Sequence, residues 1–270
     1  MTTFIATKPR SSDRGLSKFG RSPTARRYPD RKVVGRFIHM GQSRYSGLFR
    51  KIDQRLSNFY ALFPTTYLGI LRRVFEPFLS HPEKEYSVLD LACGDGSATG
   101  FMGLPRNFHI YGVELYRPYV DLARKSGIYT QVYQHDIRTF LTSQKYDIII
   151  ASHVIEHLSA AAGQKLIASL FKHARKMILV ATPIGDLPQG TYDGNYLQIH
   201  RSRWSVADFR NHGFHVKSQG MKFLWQNRNV GLDFGLFSYI FFLISFLLSP
   251  LLLIKPEWGT YMICYRYLDE

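Results

Sequence analysis

Only two cysteines, Cys93 and Cys264, occur in 270 residues, far apart and in apolar strand-like contexts. That excludes a disulfide framework and predicts two reduced, buried thiols, as suits a cytoplasmic chain. The N-terminus lacks a continuous apolar core, so no secretory signal is expected. Acidic residues are scarce, 20 against 35 Lys and Arg, and the shortage is local. Residues 1–55 hold 14 basic residues against Asp13, Asp30 and Asp53, a surplus of 11 out of the chain's +15. The basicity therefore belongs to an arm and not to the body. Residues 1 to about 35 are also poor in large apolar groups, which predicts a flexible segment. Four readings stay open for it. It is a solvated tail, a tether to anionic lipid, a nucleic-acid contact, or an organelle transit peptide, against which Asp13 and Asp30 count. Aromatics are sparse there and no RNA-binding module is visible.

What the chain has is a 45% hydrophobic content, enough for one sizeable core, and an alternation of strand-like and helix-like runs. It is organised around residues 87–99, Ser-Val-Leu-Asp-Leu-Ala-Cys-Gly-Asp-Gly-Ser-Ala-Thr. Val88, Leu89 and Leu91 predict a buried strand, the following turn is acidic and glycine-containing, and a helix start follows. A phosphate site would favour basic or hydroxyl groups over Asp90 and Asp95. Two carboxylates suit a ligand that is cationic or rich in hydroxyl donors. A second strand, His109–Leu115, closes on Glu114, 20 residues after Gly94. An acid at the tip of the second strand of a doubly wound unit grips ribose hydroxyls. A third strand runs over Gln131–Ile137 and ends in an acid, Asp136; a fourth runs over Tyr146–His153.

In their order and spacing VLDLACGDG, GVEL, QHDI and YDIIIASHVIEHL resemble the class I S-adenosylmethionine-dependent methyltransferases. The resemblance covers residues from about 86 to 220 and resumes at 260–268; Ala92 stands where that family usually has its first glycine. It implies an α/β, Rossmann-like fold with a seven-stranded sheet whose strand seven is antiparallel. It implies S-adenosyl-L-methionine as cofactor, held by Asp90, Ala92, Gly94, Gly96, Glu114, Leu115, Asp136, Ile137 and His153. Asp90 and the glycines are then expected to face the methionine moiety, Glu114 the ribose hydroxyls and Asp136 the adenine amine. Asp95 is either a ligand contact or a solvated turn residue.

Further elements are predicted at Thr65–Glu76, Pro118–Lys125, Gln164–His173 and Trp204–Asn211 as helices, and at Met177–Pro183, Gly213–Lys217 and Gly259–Leu268 as strands. The helix at Thr65–Glu76 is expected to lid the cofactor. Between the last two strands lies Phe234–Ile254, 21 residues without a charge, long enough to span a bilayer. If the strands around it share one sheet, both its ends lie on one side of any membrane, and a single pass cannot satisfy that. Pro250 also breaks the run. A dip into one leaflet, an interfacial position, a roof over the site, or burial in a homodimer interface remain. The organisation expected is an arm at 1–55, a methyltransferase domain at 56–231, an apolar insertion at 232–256 and a final strand at 257–270.

His153-Val154-Ile155-Glu156-His157 spells H-x-x-E-H, a zinc-protease pattern that needs both histidines on one face of a long helix. Here it follows a strand and leads into a turn, so no metal is expected. His153 and His157 are base candidates for an acceptor hydroxyl, or pack the loop after strand four. Residues 183–204 form the substrate-side loop by position, dense in Gln189, Tyr192, Asp193, Asn195, His200 and Arg201. His200 is the leading base candidate, or else an anchor for the helix near Trp204. The expected activity is O-methylation of a small or lipid-linked acceptor by a peripherally membrane-associated cytoplasmic enzyme. Two rivals are an RNA methyltransferase and a non-catalytic scaffold. Against RNA, no Asn/Asp-Pro-Pro-Tyr/Phe signature follows strand four.

Overall fold

The strand nearest the organising loop, β1 (Tyr86–Leu91), is buried on both faces, as a run without polar alternation requires. Val88 packs into one hydrophobic cluster, Leu89 and Leu91 into another on the opposite side, so the sheet is covered twice. The computed structural model describes residues 63–140, 144–191, 194–222, 224 and 236–268. The basic arm expected at 1–55 lies outside these.

Seven strands form one sheet in the order β3-β2-β1-β4-β5-β7-β6. They are β1, β2 (Phe108–Glu114), β3 (Gln131–Gln134), β4 (Tyr146–Ser152), β5 (Ala174–Pro183), β6 (His215–Met221) and β7 (Gly259–Tyr267). The first five are parallel, and β7 runs antiparallel to both β5 and β6. The chain order reverses between β1 and β4, and ligands of open α/β sheets bind at the carboxyl ends of strands at such a switch point.

Helices follow the strands: α1 (Tyr67–Leu79) precedes β1, and α2 (Ser97–Met102), α3 (Arg117–Lys125), α4 (Ile137–Phe140), α5 (Ala160–His173) and α6 (Val206–Asn211) come after it. In α1, Ile70, Leu71, Val74, Phe75 and Phe78 share the buried stripe. The helix starts two residues later than expected because Thr66 is its N-cap, accepting from the Gly69 N–H at 3.2 Å. It also runs past Glu76, with Pro77 inside its last turn. Trp204 is not in α6 as expected. A capping box between Ser205 and Asp208 starts the helix at Val206, and Trp204 bridges to Gly185. The sixth strand begins at His215, since Gly213 and Phe214 turn the chain after α6.

Gly163 in α5 shows how tightly this half is built. A Cβ there would stand 2.4 Å from Cζ2 of Trp204 and 3.0 Å from Ile155. Gly163→Ala is therefore expected to lower stability by about 1–3 kcal/mol in urea unfolding, although alanine is the better helix former. A rise in stability would show that Trp204 yields freely.

The segment that carries the apolar insertion leaves β6 and enters β7 side by side, because Met221 and Gly259 are register partners. It forms α7 (Leu236–Leu248) followed by 3-10 turns at Ser249–Leu253 and Pro256–Trp258. Among the described residues no helix is long and apolar enough to cross a membrane.

Candidate active site

The first acid, Asp90, is buried at the end of β1 and does not project into open space. Thr99 of α2 and the Tyr129 hydroxyl both donate to its Oδ2, at 2.5 and 2.7 Å. Burial outweighs those bonds and pushes its pKa up to about 6. It ties the loop, α2 and the segment after α3 together. Thr99 and Tyr129 were not singled out from sequence; Tyr129 is 39 residues away and carries no local signal.

Ala92 follows with φ 51, a left-handed conformation that explains why glycine is usual there. Ala92→Gly is expected to raise stability by roughly 0.5–1 kcal/mol, less than the left-handed cost itself because glycine loses more chain entropy. An unchanged or lower unfolding midpoint would contradict this. Gly94 has φ +58, and a Cβ there would meet nothing within 4 Å, so the loop leaves room on that side. Gly96 is the N-cap of α2, against the Tyr129 ring. Asp95 accepts from the Ser97 N–H at 2.9 Å, which favours the turn role.

Glu114 closes β2 as expected and reaches back across the loop. Its Oε2 accepts from the Gly94 N–H at 3.0 Å and its Oε1 from the Tyr116 N–H at 2.7 Å. Burial raises its pKa, against the pull of those N–H donors. Leu115 beside it is exposed. Asp136 lies at the turn after β3, where Arg138 grips it (Nε to Oδ1 3.0 Å, Nε to Oδ2 2.9 Å) and holds its carboxyl below the usual range. Ile137, expected as the last residue of the third strand, instead opens α4 with its side chain buried, because β3 ends at Gln134.

At the end of β4, His153 takes φ 54, a second left-handed non-glycine residue at a strand end. Its N–H donates to Ala181 O at 2.7 Å, and its ring, 42% exposed, lies 3.3 Å from Glu156 through Nδ1. Ile155–His157 is a 3-10 turn, so the protease arrangement of one long helix face is absent from this segment. The turn is bound to the substrate-side loop, because Glu156 O accepts from both Arg201 N–H and Ser202 N–H. That pairing brings the His200 ring within 5.0 Å of the His157 ring. His200 donates through Nδ1 to Leu187 O. Since Ser205 and Asp208 cap α6, His200 does not anchor that helix. Burial lowers the His157 pKa, so the ring is neutral at pH 7. Asn195 is buried and accepts from the Leu197 N–H at 3.0 Å; Tyr192 and Asp193 lie outside the described residues.

Residues 186–190 and 200–203 surround a cavity of about 450 Å³. On the other side, the Tyr67 hydroxyl of α1 lies 3.2 Å from Ser152 Oγ at the end of β4, and burial pushes its pKa up to about 12. Tyr67 and Ser152 were missed in sequence because an aromatic in an amphipathic helix reads as core.

Residues 88–177 match the family described as methyltransferase domain. Together with the sheet order and the antiparallel β7, this gives the chain a methyltransferase domain with the class I, Rossmann-like fold. Its cofactor is S-adenosylmethionine. The chain is similar in fold to magnesium protoporphyrin IX methyltransferase from Synechocystis PCC 6803 with bound SAM (14% identity, 88% of this chain and 90% of that one, TM-score 0.46). It is likewise similar to an S-adenosylmethionine-dependent methyltransferase from Clostridium acetobutylicum ATCC 824 (12% identity, 80% and 99% covered, TM-score 0.48). The assignment rests on the family match and the topology, not on these likenesses. No curated protein matches the sequence.

The residues present fit the cofactor. Glu114 at the tip of β2 supplies a carboxylate for hydroxyls, Asp90 adds a buried acid behind the loop, the described loop 92–97 contains no Lys or Arg, and Gly94 leaves the adjoining space open.

Proposed function

We propose that the protein transfers a methyl group to an oxygen of an amphiphilic, lipid-associated acceptor at a membrane surface. The cofactor supplies the methyl group on a sulfonium. In this reading Glu114 holds the ribose hydroxyls, Asp90 fixes the loop that Gly94 opens, and Asp136 and Ile137 border the adenine. Tyr67 and α1 cover the ends of β1 and β4 and keep water out. His153, at the strand end, is the group placed to take the acceptor's proton. His157 and His200 hold the acceptor side of the cleft.

The observation that carries the membrane reading is the inverted pattern of the insertion. Ile240, Leu243, Ile244, Leu247, Leu248 and Leu251 recur at helical spacing and are exposed, Leu247 at 65%. The opposite stripe buries Ser245 and Ser249. Ser245 accepts from the Met221 N–H at 3.0 Å, and Ser249 Oγ lies 2.6 Å from Thr65 Oγ1. Ile254, 75% exposed, and Trp258 extend the apolar surface, with Lys255 exposed between them. A contiguous apolar face of this kind marks an interaction site. The surplus of 11 positive charges in residues 1–55 argues for an anionic lipid surface over a second protein. An apolar face plus a polybasic segment is the two-signal combination stable peripheral binding needs. The face also borders the site: Thr65 and Phe63, which touch Ser249 and Phe246, lead directly into Tyr67.

The test is co-sedimentation of the full chain with liposomes, with and without anionic lipid. It is compared with a variant carrying Ile240→Ser, Leu243→Ser, Leu247→Ser and Leu251→Ser. The expected result is binding that needs anionic lipid and falls at least tenfold in the variant. The thermal midpoint should hardly move, because these side chains are already exposed. A wild-type protein that ignores liposomes but becomes monomeric on mutation would make the face a homodimer contact. Methyl transfer from labelled cofactor into a lipid extract tests the acceptor class separately.

A further inference from the structure

The loop after β4 holds a charge that the methyl-transfer site leaves unexplained. Glu156 is 2% exposed. Its Oε2 accepts from the Thr182 hydroxyl at 2.9 Å, while its buried Oε1 has no hydrogen-bond donor in acceptable geometry. His153 Nδ1 lies 3.3 Å from it. Among the described residues, no Lys or Arg side chain pairs with this carboxylate. A buried, ionised carboxylate without a fixed cation is costly, and buried charges are ordinarily paired or bound to a metal.

Two imidazoles meet it. The ligand atoms of Glu156, His157 and His200 all lie within 4.8 Å of one another. Both rings point one nitrogen away: His157 Nδ1 lies 3.4 Å from Ile199 O, and His200 Nδ1 donates to Leu187 O. A carbonyl partner on Nδ1 places the proton there and leaves Nε2 as a lone-pair donor, the arrangement typical of metal-bound histidine. Thr182 fixes the carboxylate in the same way. The three residues come from two segments, the turn 155–157 and the loop at 200, clamped by the two N–H bonds to Glu156 O.

We propose that Glu156, His157 and His200 form a binding site for a divalent cation of the Zn²⁺ or Mn²⁺ class. Two imidazoles and one carboxylate suit such ions better than Mg²⁺, which prefers an all-oxygen shell. Ligands around one zinc ion stand about 3.3 Å apart, so atoms already within 4.8 Å of one another need only a small inward shift to share an ion. Three protein ligands leave coordination positions open, and His200 also lines the cavity of residues 186–190 and 200–203. An oxygen of the acceptor is the donor suited to those positions. The inference does not rest on the membrane reading.

The experiment uses the untagged full chain, stripped with a chelator, and isothermal titration with Zn²⁺, Mn²⁺ and Mg²⁺. Co²⁺ absorption reports imidazole ligation and a low coordination number. The expected result is one equivalent of Zn²⁺ or Mn²⁺ bound at micromolar or tighter level and a visible Co²⁺ band. The thermal midpoint rises with metal, as linkage requires. His157→Gln and His200→Gln should each weaken binding at least tenfold, while His212→Gln, at the C-cap of α6 and bonded to Asp208 O, leaves it unchanged. Absence of binding at millimolar metal overturns the proposal. So does binding that survives in both histidine variants, or that His212→Gln removes.

Discussion

Glu114→Ala should weaken S-adenosylmethionine binding at least about 100-fold. The carboxylate does two things at once. Its two oxygens hold the Gly94 and Tyr116 N–H groups, bridging the turn after β1 to the start of α3. In the proposed site it also receives the ribose hydroxyls. Each hydrogen bond to a charged acceptor contributes about 1.5–3 kcal/mol, so losing two costs about 3 kcal/mol of loop order, roughly a 100-fold change in affinity. Glu114→Gln keeps one acceptor oxygen and should lose less, about tenfold. Isothermal titration of the cofactor reads both variants. If the alanine variant binds the cofactor unchanged, Glu114 is a structural clamp only and the ribose assignment fails.

Asp90→Asn is expected to make the protein more stable at pH 7 and poorer at holding the cofactor. Burial pushes the folded pKa of Asp90 up to about 6 from the ordinary 3.8, so the native state binds the proton more tightly than the unfolded chain does. Raised, not lowered, this carboxylate costs stability as pH climbs from about 4 through about 6, and the full cost is present at pH 7. The shift corresponds to an order of about 3 kcal/mol. Asparagine resembles the protonated form: its oxygen can accept from Thr99 and Tyr129, and it carries no buried charge. Urea midpoints should therefore rise at pH 7, coincide with wild type near pH 4, and lose their slope between. Retention of a charge that destabilises the fold is what a ligand site shows. A variant less stable than wild type at pH 7 would mean that the two hydroxyls compensate the charge fully.

The strands around the cofactor loop were legible because their signals are local. Val88, Leu89 and Leu91 ending at Asp90, and His109–Val113 ending at Glu114, fix strand, face and acid by chain neighbours alone. The helix limits were less so. Thr66 and Ser205 became N-caps and moved two helix starts, because a hydroxyl that reaches a free N–H decides the first turn. Residues 234–254 read as a possible span on composition; that Ser245, Ser249 and Leu252 face inward and Leu243, Leu247 and Leu251 outward follows only from where β6 and segment 63–66 sit. His153, Glu156 and His157 were visible as a motif, yet the motif argued against a metal.

By itself the sequence determined the parallel α/β core, the positions of Asp90, Glu114 and Asp136 at strand ends, and the near absence of charge in the insertion. Each of these is set by residue type and short-range periodicity. The tertiary structure alone decided that Asp90 is tied off by Thr99 and Tyr129. It alone decided that Tyr67 reaches Ser152, and that His200 lies against His157 and Glu156 from some 43 residues away. Those partners are brought together by sheet order and loop clamping, and a side chain's distant neighbours leave no mark on its own stretch of chain.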